Sequence, residues 1–452
     1  MDNSNHRKPV AWEASISMTE KLRLTLDYEQ LTNCMRCGFC LPACPTFRET
    51  GVEVESPRGR IALMKAVVDG VIEPDRLFEE QMNHCLGCRA CEPACPADVK
   101  YGQLIEQARD AIEDHTKSHR WWVKAIHRTA FRSIFPKQSR MKLLGNVMGI
   151  YQKSGIPKMA RTSGVMKLFP AYIREMEAIL PKAAIRGVIE QMGVLHPAKG
   201  NKIATVALFR GCIMDVLFTK TNVRTVQLLN EAGFEVIIPE SQNCCGALHA
   251  HSGESEEARA LARRNIRCFK EAGIDYIVTN AGGCGALLVE YDHLLHDDPQ
   301  WREDAAWFAE RVIDISEILV LHGRQLRYAD QGEMTSVRVT YQDSCHLRNV
   351  MRASKAPREL IRQVENTVFT EMKEADRCCG SAGIYNLTQP AMAGQILEHK
   401  MEHANATESE FILTSNPGCL LQMKLGIAKH GDYRKTQSVH VVDFLYERLL
   451  PG

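Results

Sequence analysis

The sequence predicts a multidomain chain of mixed α+β and α/β class, with a helical amino-terminal domain built on clustered thiols, a basic helical connector and a duplicated parallel-sheet α/β half. Three observations predict it. Eight cysteines fall in two matched runs, Cys34-Met-Arg-Cys37-Gly-Phe-Cys40-Leu-Pro-Ala-Cys44-Pro45 and Cys85-Leu-Gly-Cys88-Arg-Ala-Cys91-Glu-Pro-Ala-Cys95-Pro96. From Lys117 to Lys182 there are fourteen Lys or Arg against only Glu175 and Glu177, a local balance of +12 in a chain whose net charge is +1. Beyond Asn201 short apolar runs alternate with helical periodicity, and the same order returns about 134 positions later.

At 452 residues the length suits two or three domains. The organisation we read is a flexible lead-in over 1–20, the thiol-rich domain over 21–116, the connector over 117–200, and two repeats over 201–325 and 335–452. With 45% apolar and 25% charged residues the composition is that of an ordinary globular protein. No stretch approaches eighteen uninterrupted apolar residues, so no membrane-spanning segment is expected. Seventeen cysteines without a secretory signal at Met1 to Glu20 imply a reducing, cytoplasmic setting, including the inner face of the membrane.

In the first domain, Leu22 to Leu31 reads as a short helix that delivers the chain to Cys34. The CxxCxxCxxxCP spacing is that of cysteines wrapping an iron-sulfur cube. Three thiolates on one tight turn face three corners, and the fourth, turned away at the Cys-Pro step, reaches the neighbouring cluster. The expected ligand sets interlock: Cys34, Cys37, Cys40 and Cys95 for one [4Fe-4S] cluster, and Cys44, Cys85, Cys88 and Cys91 for the other. Pro45 and Pro96 force the preceding residue out of helical geometry, and Gly38 and Gly87 let the backbone crowd the cluster. Zinc is the competing metal, but a zinc ribbon needs only two CxxC pairs, whereas each run here has four thiols and a closing proline. Ser56-Pro57-Arg58-Gly59-Arg60 opens a helix with Ser56 as its N-cap, which brings Arg58 and Arg60 near the clusters. Leu77 to Met82 leads into the second run and Tyr101 to Asp114 leaves it as a helix. The whole is a two-cluster ferredoxin plan stretched by an inserted helical segment.

In the connector, aromatic residues from Trp121 to Tyr172 are interleaved with the basic ones, and the helical period is interrupted at Pro136, Pro157 and Pro170. Three readings stand open there: a linker wrapping the domains, a docking face for an acidic partner, and an interfacial contact with anionic lipid. No nucleic-acid motif accompanies the charge, and nucleic acid is not expected as a partner.

The carboxyl half reads as strands at Ile203–Phe209, Phe234–Ile238 and Asp275–Thr279, with helices at Asp215–Glu231 and Glu254–Glu271. The second repeat has strands at Val337–Tyr341, Val368–Met372 and Phe411–Thr414, with helices at Pro357–Val364 and Gln389–Ala404. Closing helices beginning at Val312 and Val441 are expected at equivalent places. The cysteines keep the register: Cys212 to Cys345 is 133 positions, Cys244 to Cys378 and Cys245 to Cys379 are each 134, and Cys284 to Cys419 is 135. One cysteine follows the first strand of each repeat, a Cys-Cys-Gly the second, and one the third. In a parallel sheet those strand ends share an edge, where ligands collect. Cys212, Cys244, Cys245 and Cys284 form one candidate metal site, and Cys345, Cys378, Cys379 and Cys419 the other, each a candidate for a further iron-sulfur centre, the alternative being thiols that only pack. Gly246 and Gly380 are expected to let the backbone approach a metal. Cys268, unmatched in the second repeat, is expected to be structural. His346 is a candidate beside these loops, and His249 and His251 are read as hydrogen-bonded bystanders.

Both cysteine runs, the Ser-Pro-Arg-Gly-Arg-Ile-Ala-Leu-Met-Lys that follows the first, and the two Cys-Cys-Gly repeats together resemble the iron-sulfur subunit of bacterial glycolate oxidase over nearly the whole chain. The combination is also similar to the iron-sulfur subunit of anaerobic glycerol-3-phosphate dehydrogenase, to heterodisulfide reductase subunits and to lactate-utilisation proteins. The resemblance implies an FAD-containing partner that oxidises glycolate to glyoxylate, while this chain carries electrons onward to the quinone pool through contact with the membrane or a quinone reductase. In heterodisulfide reductases each Cys-Cys-Gly repeat ends in CxxC. Here Ala281 and Asn416 stand at the earlier position, leaving one thiol apiece. No GxGxxG follows a strand, and no P-loop or nucleophile and base arrangement is evident, so the chain is expected to be a subunit of an oxidoreductase with no catalytic residue of its own.

Overall fold

The computed structural model describes residues 16–115, 125, 127–329 and 336–450. Contacts divide them into two units, one of residues 16–115 with 250–254 and one of 125–249 with 255–450.

The first unit is helical among its described residues. Its first helix, Met18–Thr25, starts inside the stretch expected to be a lead-in, because Ser17 and Glu20 form a reciprocal capping box. A second helix, Tyr28–Asn33, follows after Asp27 caps it, so the single helix expected over Leu22–Leu31 is two. Helix Pro57–Val68 begins as anticipated, with Ser56 accepting from the Gly59 amide and Pro57 in the first turn. Pro45–Thr50, Arg76–Asn83 and Tyr101–His115 complete its described α-helices. Leu22, Met64, Met82, Leu104 and Ala108 form the core on which both cysteine runs are laid.

The second unit holds two sheets. The first has the order β1 (Leu195–His196), β3 (Phe234–Ile237), β2 (Ala204–Phe209), β4 (Tyr276–Thr279), β5 (Val312–Asp314), and only β1 is antiparallel. The second has the order β7 (Thr367–Phe369), β6 (Val337–Tyr341), β8 (Phe411–Thr414), β9 (Gln437–His440), all parallel. Each sheet thus reverses direction beside its first long strand, the arrangement that opens a crevice at the carboxyl strand ends. Val312–Asp314 and Gln437–His440 are short fourth strands, the first of them where a closing helix was expected to begin. The first closing helix starts later than expected, at Ile315 behind Asp314, whereas the second begins at Val441 as expected, which moves the repeat register there to 126 positions. The helix expected from Asp215 runs instead as Ile213–Leu217 and Thr219–Glu231, broken at Phe218.

The two sheets share one core, with Val206, Val278, Val339, Tyr341 and Leu413 among its members. Arg224 ties the repeats together by pairing with Asp443 at 2.8 Å and Glu447 at 2.7 Å. The described part of the connector is grouped with this unit. Two of its three interrupting prolines start helices: Pro157 lies in the first turn of Ile156–Thr162 and Pro170 caps Ala171–Ile179. Among the described residues no helix is long and apolar enough to cross a membrane.

Candidate metal centres

In the first unit, each cysteine run is a tight turn shaped by two left-handed residues on either side of its second cysteine. Around Cys37 they are Arg36 (φ 57°) and Gly38 (φ 89°); around Cys88 they are Gly87 (φ 65°) and Arg89 (φ 58°). The sequence pattern identifies the glycines but not the arginines, which adopt the same conformation at a cost that the surroundings must offset. Arg58 helps to hold the first turn by donating to the Arg36 carbonyl at 3.0 Å. Successive amides in such turns point inward and favour an anionic centre.

Two cavities result. One, of about 430 Å³, is lined by Cys34, Cys37, Cys40 and Cys95. The other, of about 290 Å³, is lined by Cys44, Cys85 and Cys88. Cys91 and Tyr101 line both. The second cavity is the more enclosed: Cys44, Cys85, Cys88 and Cys91 are all buried, whereas Cys37 is exposed. Burial pushes the Cys40 thiol up to about 11 and raises Cys44 and Cys91 as well, the latter reinforced by Cys88 and Cys85. Buried, mutually repelling thiols suit a centre that supplies positive charge, and four soft sulfur donors fit iron-sulfur or zinc.

Arg60 lies against the enclosed cavity with no exposure at all. Its guanidinium donates to the Glu55 carboxylate at 2.7 Å, the Glu55 carbonyl at 2.5 Å and the Gln81 carbonyl at 2.7 Å. Tyr101 donates its hydroxyl to Cys85 Sγ at 3.6 Å. Nothing in the sequence pattern distinguishes Tyr101 from a core aromatic.

In the second unit, the strand ends bring the predicted thiols together. Cys212 Sγ donates to Cys244 Sγ at 3.5 Å, and Cys245 interacts with Cys284. The second repeat repeats the pattern, Cys345 with Cys378 and Cys379 with Cys419. The hydrogen bond with Cys244 and burial push Cys212 far up, and Cys345 is raised in the same way by Cys378 and burial. Gly246 and Gly380 also shape these loops. Both are left-handed, at φ 90° and 87°, and a Cβ on Gly380 would fall 2.8 Å from the Ala393 carbonyl oxygen, so they press the loop against the following helix.

The supports of the two sites differ. Asn265 donates to the Cys244 carbonyl at 2.9 Å, and Tyr291 to the Cys245 carbonyl at 2.7 Å. In the second repeat the buried Lys400 donates to the Glu374 carbonyl at 2.5 Å; burial lowers its pKa, opposed by the nearby Cys379 and Cys378. The sites adjoin across the repeat contact: Gly282 donates to the Ser415 carbonyl and Gly283 to Asn416 Oδ1, each at 3.0 Å. Asn416, standing where a further thiol is absent, also donates to Cys419 Sγ at 3.5 Å. Ala281 packs with Met214, Phe218 and Leu420.

The remaining candidates are placed as follows. His249 is buried, with Nε2 2.8 Å from the Phe131 carbonyl, and His251 Nδ1 is 2.7 Å from Glu106. His346 follows Cys345 in the first turn of helix Cys345–Asn349. Cys268 accepts from Ser241 Oγ at 3.1 Å.

Comparison with known proteins agrees with this layout. Residues 30–99 match the 4Fe-4S dicluster domain, 122–180 the linker region of the glycolate oxidase iron-sulfur subunit, and 206–288 and 339–424 the cysteine-rich domain. The probable glycolate oxidase iron-sulfur subunit of Bacillus subtilis is 50% identical over 93% of this chain and 95% of its own length. The glycolate oxidase iron-sulfur subunit of Escherichia coli is 30% identical over 86% of this chain and 88% of its own. Lactate utilization protein A of Geobacillus kaustophilus is 31% identical over 54% of this chain and 99% of its own. The dicluster match with its clustered thiols makes this an iron-sulfur protein, and the chain belongs to the family of glycolate oxidase iron-sulfur subunits.

Proposed function

We propose that this chain is the electron-transfer subunit of a flavin-dependent glycolate oxidase complex, taking electrons from an FAD-containing dehydrogenase subunit and passing them toward the quinone pool. Cys34, Cys37, Cys40 and Cys95 hold one [4Fe-4S] cluster, and Cys44, Cys85, Cys88 and Cys91 the other. The observation that carries the reading is the pair of adjoining cavities that share Cys91 and Tyr101 as a wall, each lined by four or more of these thiols. A [4Fe-4S] cluster exchanges single electrons. The polypeptide's part is to supply thiolates, exclude water from the enclosed centre, and place Arg60 and the Tyr101 hydroxyl where they favour added negative charge. Cys212, Cys244, Cys245 and Cys284, and Cys345, Cys378, Cys379 and Cys419, provide a further thiol site in each repeat for a metal centre. Carbon chemistry belongs to the flavoprotein, and the complex works in the cytoplasm, at the inner face of the membrane.

Anaerobically purified protein tests this. It should contain at least about eight irons with acid-labile sulfide, and more if the carboxyl half is loaded. Its clusters should be reduced by glycolate only when the flavoprotein is present. Zinc in place of iron, or clusters that glycolate and flavoprotein leave oxidised, would overturn the reading.

A further inference from the structure

Helix Gln138–Lys153 has two apolar faces. One is buried through Met141, Gly145 and Gly149. Its orientation is fixed by close approach: a Cβ on Gly145 would fall 2.5 Å from Val216 Cγ1. At 100° per residue the opposite face carries Leu143, Val147 and Ile150, which are 64%, 57% and 65% exposed. A surface helix of a globular protein ordinarily turns polar residues outward, so this outward apolar stripe is reversed from the usual pattern. The surface continues into the next elements, where Met159 is 63% and Leu168 85% exposed. Helix Ile156–Thr162 packs against both its neighbours, Gln138–Lys153 and the turn Val165–Leu168, so the three form one layer.

Around this apolar layer stand Lys153, Lys158 and Lys167, exposed and without a carboxylate partner among the described residues. They belong to the stretch of fourteen basic residues against two acidic ones. We propose that this layer seats the chain on an anionic lipid surface, with the aliphatic side chains in the acyl boundary and the lysines at the headgroups. The composition favours lipid over protein. Protein interfaces are enriched in aromatics and Arg and depleted of Lys, whereas aliphatic side chains bordered by lysine mark interfacial helices. A second copy of the chain is disfavoured because two strongly basic faces repel. The proposal deepens the reading above, in which electrons leave toward a membrane quinone.

The test is co-sedimentation of the cluster-loaded full chain with vesicles of phosphatidylglycerol and phosphatidylcholine, against phosphatidylcholine alone. Two variants are compared, Val147→Glu with Ile150→Glu, and Lys153→Glu with Lys158→Glu. All four positions are exposed, and unchanged iron content and unfolding midpoint check the fold. The wild type should bind the anionic vesicles, less as salt rises, and each variant should bind about tenfold more weakly or worse. Absent binding, equal binding to both vesicle types, or variants that bind like the wild type would overturn the proposal. So would variants that keep vesicle binding but lose the flavoprotein, which would make the layer a protein interface. Reduction of the clusters by glycolate and flavoprotein in solution should be unchanged in both variants, so this proposal and the electron-transfer reading fail separately.

Discussion

Arg60→Met isolates the cost of leaving a charge buried beside the enclosed thiol cavity. The native guanidinium has 0% exposure and pairs with a Glu55 side chain that is 8% exposed. Removing it leaves Glu55 with only the His84 ring, at 3.0 Å, as an ionic partner among the described residues. Breaking a buried pair in this way costs about 3–5 kcal/mol. Arg76 and Glu80 provide the control, an i,i+4 pair that is 82% and 48% exposed. Exposed pairs of that kind contribute about 0.3–0.5 kcal/mol, roughly a tenth as much. The assay is amide hydrogen exchange in helix Pro57–Val68, which reads local opening free energy. Arg60→Met should lose most of the helix protection, Arg76→Met almost none, and adding Glu55→Gln to Arg60→Met should restore part of it. Equal protection in the two single variants would refute the argument that burial makes this pair matter. The pH dependence supplies a second readout. Burial alone would raise the Glu55 carboxyl, but the His84 hydrogen bond and the Arg60 charge outweigh it and hold it below its ordinary 4.5. A depressed carboxyl stabilises the fold above the unfolded-state value, and that contribution disappears as pH falls through the folded value. Protection should therefore fall away below about pH 4.5, and in Arg60→Met the loss should begin at higher pH.

Further predictions concern other parts of the chain. Gly59→Ala would place a Cβ 2.1 Å from the Glu53 carbonyl oxygen, a backbone atom with little freedom to move, and should cost about 1–3 kcal/mol or more, with lower iron content in purified protein. Asp314 is fully buried and burial pushes its carboxyl up to about 7 from 3.8. Between those values the unfolded chain releases a proton that the folded chain keeps, so this group makes stability fall as pH rises toward about 7. Asp314→Asn, which retains the cap on Ser316, should flatten that slope in denaturant titrations. Cys379→Ser should lower the metal content of the carboxyl half while Cys268→Ser leaves it unchanged, as read by iron and zinc analysis.

Local spacing determined much of this protein. The CxxCxxCxxxCP runs, the Ser56-Pro57 helix start and the cysteine register between the repeats are all short-range or periodic patterns, so they are visible without a fold. Strand positions followed from apolar runs for the same reason. The two fourth strands escaped because three or four residues carry too little periodicity to separate them from the helices they precede.

Which side chains surround the thiols was decided by tertiary structure alone. Arg58 and Arg60 lie two positions apart and look alike in sequence, yet the turn of one helix buries Arg60 beside Cys44 and Cys85 and leaves Arg58 tied to Glu53 and the Arg36 carbonyl. Asn265, Tyr291 and Lys400 come to the sites from separate elements, and Tyr101, though near the second run in sequence, is turned onto Cys85 by packing. The outward apolar stripe of Gln138–Lys153 is of the same kind. Its periodicity marks two faces, and it is the contact of Gly145 with Val216 that determines which one meets the core and which meets the surroundings.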